Sequence, residues 1–457
     1  MNAERDIVRD GVGGRDLQPI PHVVAWNLTK RCNLACGHCY IAAGRWVGTE
    51  GELETSSCVR VIEELLQVNP APMLILSGGE PLLRDDLEVL AYRASRGGAT
   101  VVVGTNGTLL GSARVASLKD AGVQGIAVSI DSLRPSYHER FRHGDGALAD
   151  TMAAVERVAA SSLDFIVQMS VTRGNHHELE SMAAWAASRG AVSFNVYFLV
   201  ATGRGAAMPG LAPEDNEEVL ARIVALERQY RGSMMVRAKC QPQIMRHVHA
   251  QAAAGVDEAN PLLHYSTRCP CGVQYCRITP EGCVTPCPYL PVVAGDLRQQ
   301  AFADIWHHAA VFRDMRGGNV AGKCGRCRFR EVCGGCRARA YATGGDLLGA
   351  DDGCIYAPVG QEPVVATKPA VYGQALAKTT LPWTVEARER LGRIPSFVRG
   401  VVSQRIEAYA REHGHRVVDV ALMGQVRGQG PGDLSQRLPF FSRRLFSRRA
   451  AKDPHQG

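Results

Sequence analysis

Three cysteines constrain this chain more than any other feature. Cys32, Cys36 and Cys39 stand in the run Trp26-Asn27-Leu28-Thr29-Lys30-Arg31-Cys32-Asn33-Leu34-Ala35-Cys36-Gly37-His38-Cys39-Tyr40, at the spacing CxxxCxxC. Three thiolates so placed can hold three irons of a cubic [4Fe-4S] cluster. Such a cluster takes four ligands, so the fourth iron is left open to an exogenous one. A zinc knuckle is the competing reading, but structural zinc is normally closed by a nearby fourth Cys or His. Only His38 is near, and it is poorly placed between two of the thiols. The apolar run Val23 to Leu28 reads as a buried strand, which puts the cysteines on the loop at its C-terminal end. That is where α/β barrels keep their chemistry.

Short apolar runs then alternate with helical stretches as far as about Val200. The pattern predicts strands over Val23–Leu28, Met73–Ser77, Ala99–Gly104, Gly125–Ser129, Phe165–Val171 and Phe194–Leu199. Between them lie amphipathic helices over Cys58–Val68, Leu87–Arg96, Ser112–Ala121, Ala149–Ala160 and Glu178–Arg189. Alternation of this kind is the signature of βαβ units. The fold class is therefore α/β, a partial, TIM-like (β/α)6 barrel over 21–212 whose open side could admit a large substrate. A charged extension, 1–20, precedes it. Residues 213–268 read as a helical bridge. Residues 269–358 are rich in cysteine and glycine and look unable to build a conventional apolar core. A Pro/Ala/Val linker (359–378) leads to a small helical domain (379–425) and a loose basic tail (426–457).

The 15 cysteines gather in CxxC-like groups rather than spreading as a disulfide framework, which favours metal ligation in a reducing compartment. With no apolar leader and no run of about 18 apolar residues, the expectation is a cytoplasmic protein without a signal peptide or transmembrane segment. Nucleic acid is not an expected partner. The net charge of +7 is concentrated at one end, where Thr380 to Gly457 holds 14 Lys and Arg against 7 Asp and Glu. A basic end on a neutral body suits an anionic partner, or is simply a solvated face. Phe440-Phe441-Ser442-Arg443-Arg444-Leu445-Phe446 could meet an anionic membrane or be plain disordered tail.

The cysteine triplet after a first strand, together with Ser77-Gly78-Gly79-Glu80-Pro81 after the second, resembles the radical S-adenosylmethionine (SAM) superfamily. The resemblance implies that the open iron chelates the amino and carboxylate groups of SAM, and that one electron cleaves SAM to methionine and a 5′-deoxyadenosyl radical. It implies that Cys32, Cys36 and Cys39 are the cluster ligands, that Gly78 and Gly79 admit the ligand closely, and that Glu80 accepts from the methionine ammonium. Thr105 and Asn106, ending the third strand, would reach the ribose or the methionyl carboxylate. Ser129 and Arg142 would bind the carboxylate, with Asp131 beside them and a backbone contact from His38 to adenine. Gln168, Ser170 and Asn195 are weaker candidates on strands five and six. Taken singly, Asn106 or Asp131 could instead be a turn or cap residue, the lesser of the two readings.

The second cysteine field resembles the SPASM extension of radical SAM maturases, which houses auxiliary [4Fe-4S] clusters. It comprises Cys271, Cys276, Gly282-x4-Cys287, Cys324-x2-Cys327-x5-Cys333-x2-Cys336 and Cys354, the last pair being one residue shorter than usual. The resemblance assigns Cys271, Cys276, Cys287 and Cys336 to one cluster and Cys324, Cys327, Cys333 and Cys354 to another. Cys269 and Cys283 are left over, and either could replace a neighbour. Cys58 and Cys240 read as ordinary buried thiols, and a zinc ribbon is the alternative for Cys324–Cys336.

Tyr275-Cys276-Arg277-Ile278-Thr279-Pro280-Glu281-Gly282, Cys287-Pro288-Tyr289-Leu290-Pro291 and Cys333-Gly334-Gly335-Cys336-Arg337-Ala338-Arg339-Ala340-Tyr341 look like the heme-synthesis branch, of siroheme-dependent heme or heme d1 type. Leu381-Pro382-Trp383-Thr384-Val385-Glu386 to Arg399 is similar to the small C-terminal domain of light-independent protochlorophyllide reductase, whose enzyme acts on a tetrapyrrole. These resemblances imply an iron-tetrapyrrole substrate whose acetate or propionate groups are removed or decarboxylated. They also imply a low-potential donor such as flavodoxin or ferredoxin. Arg204, Arg337 and Arg339 are candidate anchors for substrate carboxylates, since guanidinium binds carboxylate bidentately. A peptide or protein maturase is the enzymatic alternative, and a noncatalytic iron–sulfur electron carrier the alternative of another class. A carrier would close its clusters with four cysteines.

Overall fold

The computed structural model describes residues 7–8, 19–264, 268–366, 379–392, 394 and 396–428. The six predicted strands are present as β1 (Val23–Asn27), β2 (Met73–Ser77), β3 (Thr100–Thr105), β4 (Gly125–Ser129), β5 (Asp164–Val171) and β6 (Ser193–Phe198). They pair in that order, all parallel. The helices between them include α1 (Thr55–Val68), α2 (Leu87–Arg96), α3 (Ser112–Asp120), α4 (Pro135–Arg142), α5 (Ala147–Ala160) and α6 (Leu179–Ser188).

Side chains alternate between the two faces of a strand, and here the faces enter separate cores. Val24, Trp26, Leu74, Leu76, Val101, Val103, Ile126, Val128, Val167 and Val196 lie in the large core shared with the helices. Val102, Ala127 and Ile166, with Met73 and Ile75, form a small inner cluster. Beyond that inner cluster the same lumen face turns polar: Asn27, Ser77, Ser129, Gln168, Asn195 and Tyr197 follow at alternate positions. A dry floor and a polar mouth at the strands' C-terminal ends place the chemistry.

Two features depart from expectation. The stretch read as a helical bridge is α7 (Pro213–Tyr230), then β7 (Met235–Lys239), then α8 (Ile244–Ala253). β7 pairs parallel with β6. Its five residues are too few to show a period against two flanking helices. Second, β8 (Tyr275–Ile278) pairs parallel with β1 at the far edge, and an antiparallel hairpin of β9 (Cys283–Thr285) and β10 (Gly295–Asp296) extends it. Eight parallel strands thus run from β8 through β1–β6 to β7, and with the hairpin on β8 the edges of the whole sheet are β7 and β10.

Residues 269–358 also build apolar structure after all. Ile278, Val284, Leu290, Phe302, Trp306, Phe312, Phe329 and Val332 join the same core as the barrel. The region borrows its interior from the barrel wall instead of making its own.

The C-terminal module has a separate core of Trp383, Ala387, Leu391, Ile406, Ala410, Val418 and Leu422. It comprises a two-residue strand, Trp383–Thr384, and helices Val385–Gly392, Ser396–Glu412 and Val420–Gly428. Glu407 organises its entrance, accepting from the indole of Trp383 (3.0 Å), the amide of Thr380 (2.9 Å) and the hydroxyl of Thr380 (2.7 Å). Ser396 plugs the module onto the barrel: its amide donates to Ala71 O at 3.0 Å, and its hydroxyl meets His22 Nδ1 and Asn69 Nδ2, each at 2.8 Å. His22 and Ala71 immediately precede β1 and β2, so the module seats at the end opposite the cysteine loop. The basic-aromatic stretch Phe440–Phe446 lies outside the described residues. Among those described, no helix is long and apolar enough to cross a membrane.

Candidate functional site

The cysteine loop leaves β1 and is pinned from three sides. Cys32 N donates to Gly44 O (3.1 Å), Ala35 N to Arg142 O (3.3 Å) and Gly37 N to Phe141 O (3.0 Å). Arg204 reaches in from the segment after β6, with Nε on Cys36 O at 2.9 Å, and its backbone approaches so closely that a Cβ on Gly203 would sit 2.5 Å from Cys39 O. Cys32, Cys36 and Cys39 share one small cluster with Leu34, Ile41, Ala43 and Ala147.

The sulfurs receive donors suited to anionic ligands: Leu34 N on Cys32 Sγ (3.4 Å), Ala43 N on Cys39 Sγ (3.3 Å) and Asn106 Nδ2 on Cys32 Sγ (3.9 Å). As a free thiol, Cys32 is pushed up to about 12 by burial, so only a bound cation would keep it ionised. Among the described residues no three Cys, His, Asp or Glu groups converge on a single metal ion. Three clustered thiols whose sulfurs accept amide donors fit an iron–sulfur cluster better than a closed zinc site.

Gly78 and Gly79 are required by the protein rather than by ligand approach. Gly78 has φ +147°, and a Cβ there would meet Thr29 O at 2.6 Å; on Gly79 it would meet Arg31 O at 2.2 Å. Through these glycines the loop locks onto the cysteine segment, with Gly79 N on Thr29 O (2.7 Å) and Glu80 N on Arg31 O (2.8 Å). Glu80 is fully buried and accepts from Thr105 Oγ1 (2.8 Å), Leu82 N (3.1 Å) and Asn106 N (2.9 Å). Burial outweighs these donors and lifts it to about 7. Oε1 already takes two of these donors, so only Oε2 keeps a lone pair for a further one, and the carboxylate's first partners are the chain's own.

On the other side, Arg142 is buried against Asp131, Nη2 to Oδ2 at 2.7 Å. Asp131 also accepts from Ser170 N at 2.7 Å. Burial would raise Asp131, but Arg142 outweighs it and holds the carboxyl below its ordinary range. The ring of His38 stacks on Phe141 at 4.4 Å, and burial lowers it to about 4, so it is neutral. Ser129 and Gln168 are neighbours in register on the lumen face, and Gln168 Nε2 donates to Tyr197 Oη at 3.3 Å.

The second field divides as expected on one side and not on the other. Cys324, Cys327, Cys333 and Cys354 line one small cavity with Arg246 and Lys323. Three of these sulfurs accept backbone amides, from Asp351, Phe329 and Gly335 at 3.4, 3.4 and 3.5 Å. In the other group Cys276 lies apart from the remaining thiols. It sits on β8 opposite Val24, on the helix-packed face, beside Arg316. Strand alternation sends Tyr275 and Arg277 into the lumen and Cys276 away from it.

Cys269 stands in its place. The neighbouring thiol of Cys271 lowers Cys269 to about 6, while Cys271 is held up by Cys269 and Cys287, and Cys336 senses Cys269. Cys240 is a fifth thiol there, interacting with Cys336, Cys287 and Cys269. It adopts φ +60°, unusual for a side-chain-bearing residue. Cys283 is near Asp296 and Thr279, away from both groups, and Cys58 is a buried thiol bonded to Leu53 O.

Asp351 ties the two groups together. Fully buried, it accepts from Cys336 N (2.7 Å), Gln243 Nε2 (2.6 Å) and Arg339 Nη1 (3.1 Å). Arg339 is thereby committed, and also holds Cys240 O at 2.9 Å. Arg337 donates to the carbonyls of Gly334, Gly335, Leu347 and Gly349. Neither is free to anchor a substrate, because the SPASM loops need buried donors for their own carbonyls. Arg204 keeps a buried Nη2 without a hydrogen-bond partner among the described residues.

Between the two thiol regions the lumen is lined by residues that sequence reasoning missed. Tyr40, Tyr197, Tyr275 and Tyr289 are close enough to influence one another's ionisation, and burial pushes all four up, so they are neutral. Arg277 sits over the Tyr40 ring (5.7 Å), with Nε on Asn27 Oδ1 at 2.6 Å. Lys239 ends β7 in register with Tyr197. Burial lowers its ammonium to about 7. The alternation Met235-Val236-Arg237-Ala238-Lys239 is the local trace of the strand, too short to stand out between α7 and α8.

Known proteins match this arrangement. Residues 26–186 match the model of the radical SAM superfamily, 269–337 that of an iron–sulfur cluster-binding domain, SPASM, and 383–427 that of the proto-chlorophyllide reductase 57 kD subunit. The chain is 38% identical to the AdoMet-dependent heme synthase of Methanosarcina barkeri, over 74% of this chain and 97% of that protein. It is 30% identical to the mycofactocin maturase MftC of Mycobacterium ulcerans, over 73% of this chain and 88% of that one. Streptococcus suis SuiB, solved with S-adenosylmethionine, shares the fold with a TM-score of 0.58 at 13% identity, covering 74% of this chain and 78% of that one.

The fold and the cysteine loop thus define a radical SAM enzyme. More narrowly, the chain belongs to the SPASM-bearing radical SAM family that includes the AdoMet-dependent heme synthases. Its cofactors are SAM, a SAM-binding [4Fe-4S] cluster and auxiliary iron–sulfur clusters.

Proposed function

We propose that this enzyme remodels carboxylate-bearing side chains of an iron tetrapyrrole, by decarboxylation or removal of acetate or propionate groups, in heme or heme d1-type synthesis. The observation that carries the reading is the lumen itself. Its floor is apolar and its walls are tyrosines, while Lys239 and Arg277 have no carboxylate partner among the described residues. A flat, apolar, polyanionic substrate suits that lining. The likeness to a heme synthase over nearly that protein's whole length supports the same substrate class.

When bound, the cluster and SAM supply a 5′-deoxyadenosyl radical able to abstract hydrogen from an unactivated carbon. The chain's own part is positional. Cys32, Cys36 and Cys39 would hold three irons, with amides donating to their sulfurs. Glu80, through Thr105 and Asn106, fixes the Gly78–Gly79 turn and would offer the spare lone pair of Oε2 to the methionine ammonium. Arg142, oriented by Asp131, and Ser129 would face the methionyl carboxylate, with Gln168 and Ser170 lining the adjacent wall. Cys324, Cys327, Cys333 and Cys354 would hold one auxiliary cluster, and Cys269, Cys271, Cys287 and Cys336 the other. The tyrosine walls exclude water from the reacting carbon.

We place the functional units at 21–268 for the barrel with its seventh strand, 269–358 for the auxiliary domain and 379–428 for the C-terminal module. A cytoplasmic setting and a flavodoxin or ferredoxin donor suit cysteines that are all free of disulfides.

The test is anaerobic incubation of reconstituted enzyme with SAM, dithionite and purified iron tetrapyrroles, followed by mass spectrometry. The expected product has lost carbon dioxide from a side chain, alongside 5′-deoxyadenosine. A peptide-maturase activity, favoured by the likeness to MftC, predicts instead no tetrapyrrole product and a modified precursor peptide. Absence of 5′-deoxyadenosine under every condition overturns both.

A further inference from the structure

We infer that the outer surface of the cysteine loop, centred on Arg31, Arg45 and Trp46, is the docking face for the electron donor, and that this donor is a flavodoxin. The inference rests on the donor reading given above and specifies where that partner sits.

The loop carries its cysteines just beneath solvent. Arg31 directly precedes Cys32, Ala35 directly precedes Cys36, and Ala42 follows Cys39 by three residues; all three are exposed. The chain then folds back on itself. Gly44 N donates to Lys30 O at 3.2 Å, and Gly44 O accepts from Cys32 N at 3.1 Å. Arg45 Nε donates to Asn33 O at 2.8 Å. These bonds lay Gly44-Arg45-Trp46 directly against Arg31-Cys32-Asn33. Asn33 Nδ2 donates in turn to Thr108 Oγ1 at 2.7 Å, which brings the exposed Leu109 to the same edge.

Two features of this edge ask for a partner. Trp46 is 95% exposed. Indoles are normally well covered, and one left wholly in water forgoes burial of roughly 200 Å². The arginines, for their part, have no carboxylate among the described residues. The nearby acids serve other groups: Glu52 takes the Thr29 hydroxyl and the Lys30 amide, and Glu281 pairs with Lys30. Glu50, folded over Gly48, is the exposed acid of the turn, against two exposed arginines. Trp and Arg are the side chains that most often anchor protein interfaces.

The chemistry of the loop selects the occupant. SAM cleavage needs one electron at the cluster site of Cys32, Cys36 and Cys39, and this edge is the protein surface laid directly on that loop. A flavodoxin is acidic, which suits the arginines, and it presents the edge of a flat flavin ring, which suits an exposed indole. A ferredoxin shares the charge but offers no such ring. In the exchange the anionic flavin hydroquinone gives up one electron and becomes the neutral semiquinone, with no proton to place, and the cluster site gains that electron.

The test titrates reconstituted holoenzyme anaerobically with flavodoxin, by calorimetry at low ionic strength. It also compares 5′-deoxyadenosine formation driven by flavodoxin hydroquinone with that driven by dithionite, a small reductant that needs no docking face. Trp46→Ala should weaken flavodoxin binding at least about 10-fold, as loss of an interface anchor does. Arg31→Glu combined with Arg45→Glu should weaken it by at least as much and flatten its dependence on salt. In both proteins the rate with subsaturating flavodoxin should fall by a similar factor, while the dithionite-driven rate stays at the wild-type level. Unchanged flavodoxin affinity in both proteins overturns the face. So does an equal fall in the two driven rates, which would mark a damaged site instead of a lost contact. If flavodoxin neither binds nor reduces the wild type, whether or not a ferredoxin does, the donor is misassigned and the docking proposal falls with it.

Discussion

The two thiol regions are built on opposite principles. The SAM-side site takes Cys32, Cys36 and Cys39 from one loop at the end of one strand, and neighbouring segments merely brace it. The first auxiliary group draws on the segment before β8, the loop after β9 and the start of the helix Arg337–Gly344, with Cys240 arriving from β7. A one-loop site is fixed once its strand is placed. A site assembled from distant segments depends on which face each strand turns inward, and spacing does not report that.

The largest effect expected is at the one-loop site. Cys36→Ala should reduce 5′-deoxyadenosine formation to background and remove about four irons per chain, leaving the auxiliary complement in place. Iron analysis with EPR of the reduced protein checks this. If the auxiliary signals vanish as well, the two regions are not independent and the contrast fails.

Next comes the distinction between Cys269 and Cys276. Cys269→Ala should lose the first auxiliary cluster's iron and its EPR signal. Cys276→Ala should keep both and cost only about 1 kcal/mol for a small void in the helix-packed core. The reverse pattern would restore Cys276 as a ligand and discredit the register of β8.

The sequence was legible wherever structure is local. The strands Met73–Ser77 and Gly125–Ser129 and the helix Leu87–Arg96 fall where their periodicity puts them. The set Cys324, Cys327, Cys333 and Cys354 lines one cavity, because most of it comes from one compact run. What was hidden is non-local. Lys239 was masked by the helices flanking its strand, and Arg277 by belonging to a region that seemed to lack a core. Arg337 and Arg339 looked like free anchors because nothing in the sequence reveals that Gly334, Gly335 and Asp351 need them. The paired glycines gave the right motif but not its reason, which is contact with the Thr29–Arg31 backbone.

Asp351 sharpens the comparison, because it has no counterpart in the one-loop site. Its carboxylate holds Cys336 N and Arg339, while its own amide donates to Cys324 Sγ. Asp351→Asn leaves Arg339 buried beside an uncharged partner, a loss of about 3–5 kcal/mol. Both auxiliary signals should weaken together in EPR, with thermal unfolding shifted down and SAM binding retained. Loss of SAM binding alone would mean that the coupling runs through another residue.

The smallest effect is expected in the module that has no thiols. Glu407 is nearly buried, and burial alone would raise it, but the Trp383 indole and the Thr380 and Leu381 donors prevail and hold it below the ordinary carboxylate range. A depressed folded-state pKa means its stabilisation is complete above about pH 4.3, the unfolded value, and is lost as pH falls through the folded one. Glu407→Gln should cost the module about 2 kcal/mol at neutral pH and flatten this acid limb. Hydrogen exchange across Val385–Glu412 from about pH 2 to 7, spanning the range below the unfolded value, measures both. Iron content should be untouched, since Ser396 seats the module at the end of the barrel away from every cysteine group. A drop in iron would show instead that the strands' N-terminal ends transmit to the cluster loop, and that even the one-loop site is less local than its spacing suggests.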